Sequence, residues 1–294
     1  SGDDRFLEEL RAVTDAERLG DFAARWINDP RPIARQFQRE YLSLPLNCPG
    51  HEALVKRLFK LAEKSQDDEL MGQFLRAFDV SIRRRKRTRQ IFNWVTRQYW
   101  TSERILPPQI GMPKHLRRYS ESHRQLRLFS VLTRRYLARR SWRYFRQLGA
   151  KDPVRYVKAV TQALLKYSDA DTPDGLALMD NWGLMHILFH HTDVLKSKPS
   201  GWELPMNESL ANLTPAPAFP DAWKSAPDHL WLLVRKASAR VVQQWALRLL
   251  NQDHRDFLHQ QPIADFVALT SHRDDSLARF AAELLSRSAQ LNSL

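Results

Sequence analysis

The sequence has few of the residues that build cross-linked folds or nucleotide-binding loops. Its 294 residues include one cysteine, Cys48, which excludes an intramolecular disulfide and any cluster of thiolate metal ligands. Only 9 glycines occur, and no P-loop, GxGxxG fingerprint or GxSxG elbow is present. The lack of phosphate-cradling glycines argues against a nucleotide-hydrolysing enzyme, and we predict no bound cofactor.

Long apolar runs are also absent. No stretch approaches the roughly 18 consecutive apolar residues that a membrane-spanning helix needs. The first ten residues, SGDDRFLEEL, are acidic and lack the apolar core of a secretory signal. We therefore expect a protein without a membrane span that works in the cytoplasm, the nucleus or the nucleoid rather than outside the cell.

The residues that are abundant favour helices. Leucine, alanine and arginine dominate, and apolar residues recur three and four positions apart, which predicts an all-α fold built from helical hairpins. The clearest hairpin spans residues 51–87, with Ser65 to Asp68 as its capping turn. Further helices are predicted at residues 89–104, 122–148, 153–167, 176–191 and 228–252.

The longest irregular segment is predicted at residues 196–227, which contain six prolines. Loops of this length are usually functional or flexible. We predict a single domain over residues 1–294. A subdivision into 1–195 and 228–294, joined by the Pro-rich loop, is the alternative.

Three helical segments carry a resemblance to a known repeat family. The C-terminal SHRDDSLARFAAELL, from Ser271 to Leu285, resembles the second helix of a HEAT-type repeat. Residues 241–250 (VVQQWALRLL) and 54–78 are similar to it. The resemblance implies an irregular α-solenoid. Because no fixed repeat period is found, a multi-helical bundle is the alternative.

Positive charge is concentrated in one stretch, Arg83 to Arg146. It holds 19 of the 46 Lys and Arg residues and only two acids, Glu103 and Glu121, whereas the rest of the chain has a net charge of −4. Ten of the 30 aromatic residues also fall there. Clustered arginines with interleaved aromatic rings are typical of surfaces that bind phosphates and stack on bases. The stretch therefore predicts a polyanion-binding surface, with nucleic acid as the expected ligand.

The predicted helix at residues 122–148 divides into two arcs. Its apolar arc contains Leu126, Leu137 and Leu148, and the arginines lie on the opposite arc. Trp142 falls among these arginines by helical spacing. The predicted polyanion-binding residues are Arg83, Arg84, Arg85, Lys86, Arg87, Arg124, Arg127, Arg135, Arg139, Trp142, Arg143 and Arg146.

A different class of function remains open on the same stretch. A basic groove could hold an acidic protein partner, in which case the protein is a scaffold and the Pro-rich loop is an adaptable contact. The sequence does not specify the oligomeric state. In both interpretations the protein is a binding protein rather than an enzyme.

Two motifs are weaker candidates for chemistry. His186 and His190 are four residues apart and share a helix face, which is the geometry of two-histidine metal sites, but no Glu adjoins His186. A buried helix end is the favoured interpretation of the pair. The sequence Asp180-Asn181-Trp182 resembles HEAT-like DNA glycosylases, in which an Asp acts beside Trp and Arg residues that line the DNA groove. That resemblance implies a catalytic role for Asp180.

Overall fold

A computed structural model describes residues 5–83, 85–106, 128–199, 201–205, 208–272 and 274–287. In the strand pair 85–106 it describes the side chains of Phe92 and of residues 94–99. Fifteen α-helices occur in these ranges with two short antiparallel strand pairs, so the predicted all-α class is confirmed. No helix in the described ranges has the length and apolar character needed to cross a bilayer.

The elements follow one another along the chain with short connections. The strands are β1 (Arg85–Asn93), β2 (Gln98–Leu106), β3 (Lys196–Lys198) and β4 (Gly201–Glu203). The helices are α1 (Phe6–Ala12), α2 (Ala16–Ile27), α3 (Pro32–Ser43), α4 (Glu52–Lys64), α5 (Asp68–Val80), α6 (Val131–Lys151), α7 (Pro153–Leu164), α8 (Gly175–Asp180), α9 (Trp182–Phe189), α10 (Pro220–Lys224), α11 (Pro227–Lys236), α12 (Arg240–Asp253), α13 (Arg255–His259), α14 (Ile263–Thr270) and α15 (Asp275–Arg287).

The chain divides into two compact units. The first comprises Ser1–Ser141 together with Met179–Asn181, and the second comprises Trp142–Leu178 together with Trp182–Leu294. The Pro-rich segment 196–227 therefore belongs to the second unit. Helix α6 contributes residues to both units.

The first unit is held by packing among α2, α3, α4 and α5. Phe59, Phe74 and Phe78 form its aromatic centre, with ring centroids 5.3 to 5.5 Å apart. The Asp67 side chain accepts a hydrogen bond from the Leu70 amide and caps α5. The predicted hairpin of residues 51–87 is confirmed in its pairing, but its second helix ends at Val80 rather than at Arg87.

The predicted helix at residues 89–104 is wrong. That segment forms the antiparallel hairpin β1–β2, in register from Arg85 opposite Leu106 to Asn93 opposite Gln98. Its β-branched and aromatic residues favour a pleated strand over a helix. The next predicted helix, at 122–148, begins at Val131 within the described residues and continues to Lys151.

The second unit is centred on three large side chains, Tyr156, Trp223 and Trp245. All three are buried, and the Trp223 and Trp245 ring centroids are 5.0 Å apart. The Trp245 indole donates a hydrogen bond of 2.9 Å to the Leu188 carbonyl. This bond ties α12 to α9 and closes the core around the end of α9.

One long helix predicted at residues 228–252 is two helices, α11 and α12. Between them the backbone is extended at Ala237 and Ala239, and Ser238 forms a parallel bridge with Ser168. The Asp169 carboxylate accepts a 2.7 Å hydrogen bond from the Arg240 amide and forms an ion pair with the Arg240 guanidinium. A cap supplied from a distant part of the chain therefore starts α12.

The segment 196–227 is also more ordered than predicted. It contains the β3–β4 pair and helix α10, and it buries Trp202 and Trp223 in the second unit. A long irregular loop is therefore the wrong description. Its tryptophans anchor it to the core, because burying an indole removes a large apolar area from water.

Candidate functional site

The most exposed aromatic residues in the described ranges lie at the tip of the β1–β2 hairpin. Trp94 is 84% exposed, Tyr99 is 70% exposed and the intervening Val95 is 93% exposed. Single exposed apolar residues are ordinary, but a contiguous group of this size marks a contact surface. We define Phe92, Trp94 and Tyr99 as the aromatic tip.

The rings of the aromatic tip support one another. Phe92 lies opposite Tyr99 in the strand register, with ring centroids 5.0 Å apart. The Phe92 and Trp94 centroids are 4.9 Å apart with an interplanar angle of 87°. Phe92 therefore contacts both exposed rings and holds them close together at the end of the hairpin.

The hairpin reverses through residues 94–97, and the last of these has an unusual backbone. Arg97 has a φ of 54° in the left-handed region, which glycine or asparagine ordinarily occupies in such turns. A non-glycine residue there costs on the order of 1 kcal/mol. The turn thus keeps an exposed cation beside Trp94 at a conformational cost.

The strands bring arginine positions to one face of the hairpin. Residues 85, 87 and 89 of β1 are alternate positions and belong to one face by the two-residue period of a strand. Arg104 of β2 lies opposite Arg87 in the register and so belongs to the same face. Four arginine positions therefore occupy one face of the ribbon, whereas Lys86, Phe92 and Tyr99 belong to the other face by the same period.

The predicted binding residues separate into several groups. Arg84, Arg124 and Arg127 lie outside the described residues, and of Arg85, Lys86 and Arg87 the structure describes the backbone. In the first unit Arg135 and Arg139 are half-buried on α6. In the second unit Arg143 and Arg146 are exposed on α6.

Arg83 has a structural position. Its guanidinium donates hydrogen bonds to the Asp79 carbonyl at 3.0 Å, the Ile82 carbonyl at 2.8 Å and the Asn181 side chain at 3.4 Å. These contacts satisfy carbonyls at the C-terminal end of α5, where a cation also favours the helix dipole. Arg83 is half-buried and stabilises the base of the hairpin.

Two further arginines of α6 are held by the first unit. The Arg140 guanidinium forms a bidentate ion pair with Glu63, with N–O distances of 2.6 and 3.1 Å. This hydrogen bonding raises the pKa of Arg140 above its ordinary value. The buried Arg134 guanidinium donates to the Ser81 carbonyl. Some arginines of α6 therefore stabilise the fold, so the high arginine density of this helix does not by itself indicate a ligand-binding surface.

Trp142 corrects an expectation of the sequence analysis. It is 4% exposed, and its ring stacks on His186 with an interplanar angle of 4° and a centroid distance of 5.3 Å. A buried indole cannot stack on a nucleic-acid base. Helical spacing placed Trp142 among arginines, but the packing of the second unit decides its orientation.

His186 and His190 are brought together as predicted. Their Nδ1 atoms are 2.8 Å apart, and the His186 ring also contacts Trp182 and Trp202, with centroid distances of 4.6 and 4.8 Å. Burial, followed by the charges of His190 and Arg146, lowers the pKa of His186 to about 3. His186 is therefore a neutral ring inside a tryptophan cage.

The metal and catalytic candidates have little support from the geometry. No group of three His, Cys, Asp or Glu side chains that could hold a metal occurs in the described part of the chain. Asp180 ends α8 and is buried, and its neighbour Asn181 is completely buried.

Sequence reasoning missed the aromatic tip as a unit. The signal was present in residues 91–101, where Ile, Phe, Trp, Val, Thr and Tyr predominate and β propensity is high. No Asn-Gly or Asp-Gly turn marks the reversal, because Arg97 occupies the left-handed position. Trp94 and Tyr99 therefore appeared as parts of a helix.

No protein-family model, curated protein or solved structure matches this chain.

Proposed function

We propose that the protein binds nucleic acid through the β1–β2 hairpin of its first unit and performs no chemistry on it. The observation that carries this proposal is the exposure of Trp94 and Tyr99 at the end of a ribbon whose strands also carry four arginine positions, on the face opposite to Tyr99. Exposed rings and cations on one element are the combination that nucleic-acid platforms use, and a strand that passes around the tip can meet both faces. The concentrated positive charge of residues 83–146 supports the same ligand class.

Each component has a separate task in this mechanism. Exposed rings stack on bases, and each such contact contributes roughly 1–3 kcal/mol without preference for sequence. Arginines neutralise phosphates and release counterions, so affinity falls with salt. Because stacking requires bases that are not already paired, the aromatic tip favours single-stranded over duplex nucleic acid.

The test is a titration of labelled single-stranded and duplex oligonucleotides across a salt series. We expect binding at low salt, a preference for the single strand and a negative slope of log affinity against log salt. Replacement of Trp94 and Tyr99 by Ala should lower single-strand affinity at least about tenfold. The matched variant with Phe at both positions should retain most of it, because a π-face remains.

An acidic protein partner is the second candidate, and the exposure of Val95 favours it. An aliphatic side chain that is 93% exposed between Trp94 and Arg97 suits the apolar centre of a protein contact. Capture of a partner that survives nuclease treatment and is lost on Val95→Ser would support this candidate. Capture that depends on intact nucleic acid supports the first.

A further inference from the structure

Helix α4 of the first unit carries a cluster of cations outside the hairpin. Lys56, Arg57, Lys60 and Lys64 are all exposed, and we name them the lysine face. They border a shallow groove of about 410 Å³ whose floor contains Ala53 and Leu61. The four side chains belong to one helix, so their spacing follows from helix geometry.

Three of the cations form a straight stripe. Lys56, Lys60 and Lys64 are each four residues apart, which places them one above another on the helix surface. At a rise of about 1.5 Å per residue, the stripe extends about 12 Å. Arg57 lies beside it and widens the cationic surface.

The lysine face is not neutralised within the described part of the chain. None of its four cations forms an ion pair with another described residue. Glu63 lies next to Lys64 in sequence, but both its oxygens are engaged by Arg140. Like charges four residues apart destabilise a helix. Glu52, four residues before Lys56 on the same stripe, forms no ion pair with it, so the face presents its charge to an anion from outside.

One member of the lysine face is also held in place. The Lys56 ammonium lies 5.3 Å from the centroid of the Phe129 ring, and Phe129 itself is buried. A cation–π contact restrains the long side chain without neutralising its charge. Lys56 therefore remains available to a ligand. Part of the conformational entropy that its side chain loses on binding is already lost in the free protein.

We propose that the lysine face is a second nucleic-acid contact of the first unit, and that it binds the phosphate backbone of one strand. Phosphates of a duplex strand repeat about every 3.4 Å along the axis, so a stripe of about 12 Å spans three to four of them. Lysine ammonium groups are flexible point charges that follow phosphates without fixed geometry. This inference rests on the proposed function and adds a backbone contact to the stacking contact.

The test compares two variants that lose the same charge. In the first, Lys56, Arg57, Lys60 and Lys64 are replaced by Gln. In the control, four exposed lysines of the second unit are replaced by Gln: Lys151, Lys158, Lys224 and Lys236. Duplex affinity of the full chain is measured across a salt series, and circular dichroism checks the helix content. Replacement of the three face lysines by Arg provides a charge-preserving variant.

We expect the salt dependence of duplex binding to weaken when the lysine face is neutralised and to stay nearly unchanged in the control variant. Removing four phosphate contacts should reduce the steepness of the log–log slope for duplex by about 3.6, whereas the control should change it by less than about one. The Arg variant should keep the native slope. If the four-Gln variant loses helix content, Lys60→Gln alone should reduce the slope by about 0.9.

Three results would overturn the inference, and they separate it from the proposed function. If the native chain binds normally, but the four-Gln variant keeps its salt slope or the control loses as much slope, the lysine face is not a phosphate contact. The proposed function then still stands. If the native chain binds neither single-stranded nor duplex nucleic acid at low salt, the proposed function and the lysine face are removed together. If polyglutamate binds the native protein more tightly than the duplex does, and this binding is lost in the four-Gln variant, the face is assigned to an acidic protein segment instead.

Discussion

Tryptophan and arginine are neighbours in sequence in both units, but the two regions place the indole differently. In the hairpin of the first unit, Trp94 is 84% exposed at a turn that ends in Arg97. In the second unit, Trp142 is buried against His186 although Arg143 and Arg146 on the same helix are exposed. Among the described residues no element covers the Trp94 ring, whereas helix α6 presents Trp142 to a core. The same pair of residue types thus indicates a binding surface only where the fold leaves the ring uncovered.

The largest expected effect separates the two indoles by stability. Trp142→Ala should lower the free energy of unfolding by about 3–5 kcal/mol, because it removes a buried ring and leaves a cavity. Trp94→Ala should change it by less than about 0.5 kcal/mol, because the ring is solvent-exposed. Chemical denaturation of both variants measures the difference. Equal losses would remove the distinction between a buried and an exposed indole.

A pH dependence should distinguish the second unit from the first. The folded pKa of His186 is about 3, below the ordinary value of 6.5, so the native state favours the neutral ring. Its contribution to stability is complete above about pH 6.5 and is lost as the pH falls from there toward 3. Burial also lowers the pKa of His190, and electrostatic interactions with His191 and Arg146 act in the same direction.

The pH prediction is tested with His186→Gln. The denaturant midpoint of the native chain should fall between pH 7 and pH 5 by more than that of the variant, which has no proton to gain at this position. Trp94→Ala serves as the control and should keep the native pH dependence. Parallel curves for the native chain and His186→Gln would show that His186 does not govern acid stability.

The smallest expected effect concerns the turn of the hairpin. Arg97→Gly should stabilise the hairpin locally by about 0.5–1 kcal/mol, because glycine adopts a positive φ without steric cost. The same change removes one cation and should reduce the salt-slope magnitude for single-stranded nucleic acid by about 0.7 if Arg97 contacts a phosphate. Amide hydrogen exchange at residues 92–99 measures the first effect, and the salt series measures the second. Faster exchange in the variant would contradict the assignment of strain to Arg97.

The helical class and several helix ends were predictable because their determinants are local. The hairpin of α4 and α5 follows from apolar spacing and from the Asp67 cap, which lies next to the helix it starts. The break before α12 was not predictable, because Asp169 supplies its cap from 71 residues away. A glycine at this point of the chain is typical of a helix end, but Gly149 lies inside α6, where a Cβ atom would lie 2.4 Å from the Phe219 ring.

The site was predictable in charge but not in geometry. The cluster of arginines is a property of composition, so its position along the chain is visible in the sequence. The register that aligns Arg87 with Arg104 and Phe92 with Tyr99 depends on a turn without a recognisable turn sequence. The lysine face was visible as a four-residue spacing on α4. The engagement of Glu63 by Arg140, which leaves that face uncompensated, required the tertiary structure.

The central claim is that the exposed rings of the hairpin bind nucleic-acid bases. Its most direct test is the affinity of the native chain, of Trp94→Ala/Tyr99→Ala and of Trp94→Phe/Tyr99→Phe for one single-stranded oligonucleotide at fixed low salt. We predict that the Ala variant loses affinity at least about tenfold with unchanged unfolding free energy, and that the Phe variant stays near the native value. Equal affinity of all three proteins would contradict the claim.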